Sequence, residues 1–527
     1  MWAPGAAVAV ALVALIAWSV WQRWQLVSAS PFPLGVDGYF YSIELRSLLA
    51  HGELQYPASP LAFYLLAPFA AATDPIIGVK LGAAVFGAAI AVPAYGVGAR
   101  LGGGRGAGLI AAVLATTSVG SAYLTIEFVK NGIGLTVALA ALWLALRAGE
   151  RATWGRIAAA AAGLGAAYAT HKMAAAIVVI VAIPAVLAGA ATSGALRGRR
   201  LVYALGGALA VACAALGLGA AFPQRLLSAG DAALLRDLVS ATPRWTAPAL
   251  VFPGGELALG HDALLGLGLG LAGVAAFAIR ARRAARLPAD QRHSSAPASG
   301  PAAGPASGSG PAASPAAAAS TAAAWPIIGL AILIGLPFLA VTDRQGLGLR
   351  LRIAAFVPAA LAAAIVARGV LARYAHRDAV LAALAVALAV VRQPGDRLDG
   401  EIVTHPALVA AAQALNGHVP AGATLIVPER HIAFMVAWYT GAAVAIRPDR
   451  VPPARRYRLL PLHFIVADSP LDHALLAARA EPSLEPPLGV HPSHPNGLVL
   501  VAEPTWDWIL ARLPAADRAR LVAWPTL

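Results

Sequence analysis

The chain has 527 residues, of which 59% are hydrophobic and 12% charged. That balance excludes an ordinary soluble domain and indicates a polytopic membrane protein. Its net charge of +14 comes from 39 Lys and Arg against 25 Asp and Glu, but the basic residues sit mostly in short loops between apolar runs. Anionic lipid and topology account for such charges, and a nucleic-acid partner is excluded. The single cysteine, Cys213, lies in an apolar run, so no intrachain disulfide forms.

The first apolar run covers about residues 4–22. It lacks a basic n-region, and Trp18, Trp21 and Trp24 suit an interfacial belt, so it reads as an anchor rather than a cleaved signal. An external loop of residues 23–75 follows, and in it Gly35-Val36-Asp37-Gly38-Tyr39-Phe40-Tyr41 sets a carboxylate beside the bilayer. A carboxylate there is costly without a use, although Asp is also a favoured helix N-cap. The next residues, to Gly52, predict an amphipathic helix. Tyr41, Leu45, Leu48 and Leu49 form its apolar stripe, while Glu44, Arg46 and Ser47 lie off it. Such a helix would lie in the headgroup layer and hold Asp37 at the membrane surface.

Apolar periodicity and length predict further spans at about 76–98, 107–122, 132–147, 156–170, 173–191, 201–221, 262–280, 326–341, 352–368 and 378–391, eleven in all with the first. Gly102-Gly103-Gly104-Arg105-Gly106 reads as a tight turn. Arginines cluster in alternate loops: Arg100 and Arg105; Arg147, Arg151 and Arg156; Arg197, Arg199 and Arg200; Arg280, Arg282, Arg283 and Arg286; Arg368, Arg373 and Arg377. The positive-inside rule puts these loops and the N-terminus in the cytoplasm. The opposite loops carry Asp37, Glu44, Glu53, Asp74, Glu127, Asp231, Asp237, Glu256, Asp262 and Asp343. The expected location is therefore the cytoplasmic (inner) membrane, multi-pass.

Residues 287–324 are rich in Ala, Pro, Ser and Gly and predict a disordered cytoplasmic linker. The membrane domain is expected to end at residue 391. In 392–527, strand-like runs (423–427, 464–467, 497–501) alternate with helix-like ones (406–415, 471–478). That rhythm predicts a small α/β domain, placed outside the membrane by the span count. There is no Walker A loop, dinucleotide fingerprint or Cys/His zinc spacing, so ATP hydrolysis by the chain itself is not expected.

Asp37-Gly38-Tyr39-Phe40-Tyr41, the helix after it, and Tyr56-Pro57-Ala58-Ser59-Pro60-Leu61-Ala62-Phe63-Tyr64 together resemble the first external loop of GT-C superfamily membrane glycosyltransferases. The likeness is greatest to the catalytic subunits of oligosaccharyltransferases. It covers the architecture of the whole chain and the motif of about residues 35–65. Where those subunits carry Asp-x-Glu in the second external loop, this chain has Leu124-Thr125-Ile126-Glu127-Phe128-Val129-Lys130-Asn131. Trp438-Tyr439-Thr440-Gly441 is a faint echo of the family's Trp-Trp-Asp-Tyr-Gly signature, and Arg350-Leu351-Arg352 resembles the arginine that opens a late helix in many GT-C enzymes.

The resemblance implies a GT-C-like helical domain with an extracytoplasmic α/β domain. It also implies transfer of a sugar from a polyprenyl-phosphate donor, its tail in lipid, to an acceptor lipid, glycan or protein on the outer face. Asp37 would take the acceptor proton, and Glu127 would position the acceptor or a metal ion. Lys130, His171, Lys172, Arg350 and Arg352, all on the expected outer side, would surround the departing phosphate. No cofactor is certain on these grounds, and a divalent cation stays open. Three alternatives remain. One is oligosaccharyltransferase-like transfer of a lipid-linked glycan to protein, another is a transporter of lipid-linked substrates, and the third is a non-catalytic scaffold.

Overall fold

The computed structural model describes residues 4–56, 58–151, 153–192, 250–252, 255–257, 259–286, 315–336, 347–371, 374, 376–391, 406–426, 430–445, 451–461, 465–489 and 498–523. The protein is mostly helical, as its composition requires. Among the described residues six helices are long and apolar enough to cross a membrane, or seven if one bent pair counts as a span. Multi-pass insertion follows from length and hydropathy.

The first helix, α1 (Pro4–Ser28), runs past the expected end at residue 22 because Arg23 finds partners inside the bundle. Within it Trp18 and Trp24 pack on the helical core, while Trp21 is exposed. The supposed loop 23–75 is itself largely helical, holding α2 (Gly38–His51) and the apolar α3 (Leu61–Ala72). The next span is formed by α4 (Pro75–Ala89), capped by Asp74, and α5 (Ala91–Gly102).

The segment expected at 107–122 is broken. Its halves, α6 (Arg105–Thr116) and α7 (Val119–Ile126), are bent by 46° about Thr117–Ser118. Ser118 restarts the helix by accepting the Ser121 N–H at 3.0 Å. After α8 (Val129–Glu150), α9 (Trp154–Thr170) and α10 (Lys172–Thr192) form a hairpin. A short β1–β2 ribbon (Leu250–Phe252, Gly255–Leu257) precedes α11 (Leu259–Arg286).

The expected linker ends sooner than its composition suggested. Residues 315–324 are the first part of α12 (Pro315–Gly335), with Ala319, Ser320, Ala323 and Ala324 buried. Proline suits the first helical position and alanine is the best helix former, so low complexity there conceals a helix that packs on α10 and α11. The short α13 (Leu347–Ile353) leads to α14 (Phe356–Leu371), and α15 (Arg377–Val391) lies on α6. The helices at the expected spans 156–170, 352–368 and 378–391 have 17, 16 and 15 residues, short of the ~20 that a bilayer core needs. The expected span 201–221 lies outside the described residues, as does most of the expected linker.

The C-terminal region is α/β. Its five-stranded sheet has the order β4-β3-β5-β7-β6, made of Ala443–Val444, Thr424–Ile426, Arg456–Pro461, Leu498–Ala502 and Leu488–Gly489. The strand β3 pairs parallel with β4 and β5, whereas β5–β7 and β7–β6 are antiparallel. Helices α16 (Pro406–Ala414), α17 (Arg430–Thr440), α18 (Pro470–Ala480), α19 (Glu503–Arg512) and α20 (Ala515–Ala523) complete the region.

The strand expected at 464–467 is instead β5, just before it. Two arginines hide β5 from a hydropathy reading. Arg458 is neutralised by a two-pronged pair with Glu503 at 3.0 and 3.1 Å, which lets Tyr457, Leu459 and Leu460 fill the core.

The α/β region does not stand apart. One apolar cluster joins Phe40, Tyr41, Tyr56, Phe63 and Leu66 to Phe434, Met435, Leu459 and Leu500. Consequently α2 is not an interfacial helix with one wet face. Tyr39, Phe40, Tyr41, Ile43, Glu44 and Leu45 are all buried, and Leu49, placed on the apolar stripe, is exposed. The helix is covered by α3 and α4 from the bundle and by α17 from the α/β region.

Candidate functional site

The site begins at a turn that only glycine allows. Gly35 has φ +74°, and a Cβ there would lie 2.6 Å from the Ile126 carbonyl and would strike the Glu127 carboxylate. The bare backbone lets the turn close on the end of α7, where the Val36 N–H donates to Glu127 Oε2 at 2.8 Å. Asp37 follows at the N-cap position of α2, yet its side chain makes no capping hydrogen bond. Capping therefore does not account for the carboxylate. It is half-buried and close enough to Glu127 for their charges to interact. Glu127 itself is buried, which pushes its carboxyl up to about 7; the Val36 N–H opposes that shift and the Asp37 charge adds to it.

Three residues beyond Glu127, Lys130 opens α8, and its backbone N–H donates to the Tyr41 hydroxyl at 3.3 Å. His171 sits at the corner between α9 and α10, pressed onto α8, where a Cβ on Gly134 would come 2.8 Å from its own Cβ. Burial pushes its imidazole down to about 3, and the charges of Lys130, Arg350 and Lys172 add to that effect. Among the described residues, His171 Nδ1 and Arg350 Nε are buried nitrogens without a hydrogen-bond partner. The structure thus gathers Lys130, His171, Lys172 and Arg350 from three places in the chain. Arg352 is buried as well, and its Nη2 donates to the Leu336 carbonyl at 2.9 Å, just beyond the end of α12.

Three features of the site were not apparent from sequence. Glu44, read as a surface group, is fully buried. It accepts the Gln55 and Tyr56 N–H groups at 2.9 and 3.0 Å and folds the following loop back over α2. Burial pushes it up to about 7, while those N–H groups and Lys130 oppose the shift. Arg23, one residue past the expected end of the first span, is buried among Thr125, Ser121 and Thr116; an arginine directly after an apolar run was the available signal. The Trp438-Tyr439 pair docks on α2. Tyr439 shares a 3.2 Å hydroxyl contact with Tyr39, and Arg46 lies 4.2 Å over the Trp438 ring and donates to its carbonyl. The side chains of His431 and His463 lie outside the described ones.

Glu127 already accepts the Val36 N–H at 2.8 Å. No group of three or more His, Cys, Asp or Glu side chains is placed to hold a metal among the described residues. The arrangement suits proton transfer at the Asp37–Glu127 pair, with an anion beside His171 and Arg350. No protein-family model matches this chain, and no curated protein matches it.

Proposed function

We propose that this chain is a GT-C-type membrane glycosyltransferase. It moves a sugar from a polyprenyl-phosphate donor to an acceptor on the outer face of the inner membrane. The observation that carries the reading is the meeting of the Gly35–Asp37 turn with Glu127, beside the cations grouped at His171. In this reading the acceptor oxygen attacks the anomeric carbon. The bond from that carbon to the phosphate oxygen breaks, its electron pair leaves with the phosphate, and the acceptor proton passes to Asp37. Glu127 fixes the turn that carries Asp37. Lys130, Lys172 and Arg350 hold the phosphate charge, and His171, neutral in the free protein, supplies a hydrogen bond. No step is routed through a metal.

The same reading places eleven spans in the chain, with the N-terminus in the cytoplasm and the α/β region outside, where it closes over α2. A second reading, as a transporter, draws on the broken span α6–α7, since discontinuous helices often build transport sites. Against it, side chains already occupy the break: Arg23 binds the Thr116 carbonyl, and Asp262 accepts the Gly120 N–H at 3.1 Å.

The test is sugar transfer from a panel of polyprenyl-phosphate sugars in reconstituted membranes, with wild type and Asp37→Asn compared. Transfer by wild type, reduced by at least ~10²-fold in a folded Asp37→Asn variant, is the expected result. Equal transfer by both proteins removes Asp37 from the base role. No transfer with any donor overturns the reading and brings the transporter forward.

A further inference from the structure

Arg23 lies within α1, a helix apolar enough to cross a membrane, and is only 3% exposed. Its hydrogen bonds go to hydroxyls and a carbonyl, not to a carboxylate. A cation so placed is costly and marks a function or an assembly contact. The guanidinium is bound by the broken span. Nε donates to Thr125 Oγ1 at 3.2 Å, and Nη2 donates to Ser121 Oγ at 2.7 Å and to the Thr116 carbonyl at 2.8 Å. A further bond goes to Ser19 on its own helix. Thr116 ends α6, and its carbonyl is among those a helix end leaves without an intrahelical donor. From the other side α4 closes over the contact at Gly87, where a Cβ would lie 2.7 Å from Arg23 Nε and 2.9 Å from Thr125 Oγ1.

The same two segments meet again at the site. Asp37 follows Arg23 along the chain, and Thr125 lies two residues before Glu127. Above the arginine, the Val36 N–H closes on Glu127. We infer that Arg23 is a positioning residue. By tying α7 to α1 it sets the depth at which Glu127 meets the Val36–Asp37 turn. This rests on the proposed role of that carboxylate pair, and Arg23 acts on the pair through α7.

The experiment reads the coupling between the carboxylates and needs no sugar donor. The full chain in detergent is treated with dicyclohexylcarbodiimide, an apolar reagent for protonated carboxyls, and labelling of Glu127 is followed by peptide mass spectrometry across pH. In an otherwise wild-type chain, Asp37→Asn is expected to lower the labelling midpoint of Glu127 by on the order of one pH unit, since it removes a neighbouring negative charge. In an Arg23→Met background that response disappears, and in Arg23→Lys it is reduced. An unchanged response in folded Arg23→Met overturns the inference. If Arg23→Met does not fold, Thr125→Val is read in the same way: a weakened response supports the inference and an unchanged one overturns it. Failure here leaves the transfer assay untouched, and the reverse also holds.

Discussion

At Gly35 a methyl group would meet the Ile126 carbonyl and the Glu127 carboxylate, and the backbone sits in the left-handed region. Gly35→Ala should therefore cost about 1–3 kcal/mol and push the turn away from Glu127. The checks are a lower melting temperature in detergent and loss of sugar transfer.

Two buried carboxyls make stability depend on pH. Glu44 and Glu127 ionise near 4.5 in the unfolded chain and near 7 in the folded one, burial being the larger cause in both. The folded state thus holds protons that the unfolded state releases. Stability is full below pH 4.5 and falls as pH rises through that window to 7, by up to about 3 kcal/mol for each group. Melting in detergent should follow this slope, and Glu127→Gln should flatten it. A rise in stability across the same window would contradict the assignment.

At the scale of elements, α2 joins the two regions. Its outer side meets α17 through the Arg46–Trp438 stack, the Tyr39–Tyr439 hydroxyl contact and the Phe40–Phe434 ring contact at 5.1 Å. The Tyr56 hydroxyl accepts the Val444 N–H at 3.1 Å. Arg46→Ala removes the stacked cation and the donor to the Trp438 carbonyl, which should weaken docking by about 1 kcal/mol. Faster hydrogen exchange in α17 and around Val444, with the helices of the bundle unchanged, is the expected signature. Exchange that rises equally in both regions would mean that α2 packs no differently on α17 than on the bundle.

For the whole molecule, orientation rests on charge. Arg147, Arg151 and Arg156 flank the turn before α9, while Glu53 lies beyond α2. In a Cys213→Ser background, a cysteine at the exposed Trp154 should be shielded from a membrane-impermeant maleimide in intact cells. One at the exposed Glu53 should react. Reaction at 154 alone would invert the topology. The same experiment places the α/β region, because α17 packs on the helix that ends beside Glu53.

Amino-acid order alone was enough for the helical membrane character, the α/β rhythm after residue 405, and the pairing of Asp37 with Glu127 in one functional hypothesis. Lys130, His171, Lys172 and Arg350 were also legible as one group. Apolar length, periodicity and charge sign are local properties, and they survive whatever the chain packs against. Other features came from the fold. Arg352 donates to the Leu336 carbonyl, a partner that its own segment does not reveal. Glu44 looked solvated because nothing in its own helix reveals the Gln55 and Tyr56 N–H groups that fold back onto it. The span at 107–122 looked continuous because its break is stabilised by Arg23, from a helix distant in sequence. Burial of a polar group is decided by partners brought from elsewhere in the chain, since an unpaired charge is costly inside and a paired one is tolerated. For that reason the tertiary structure alone decided that Glu44 and Arg23 are buried, each among partners from another part of the chain.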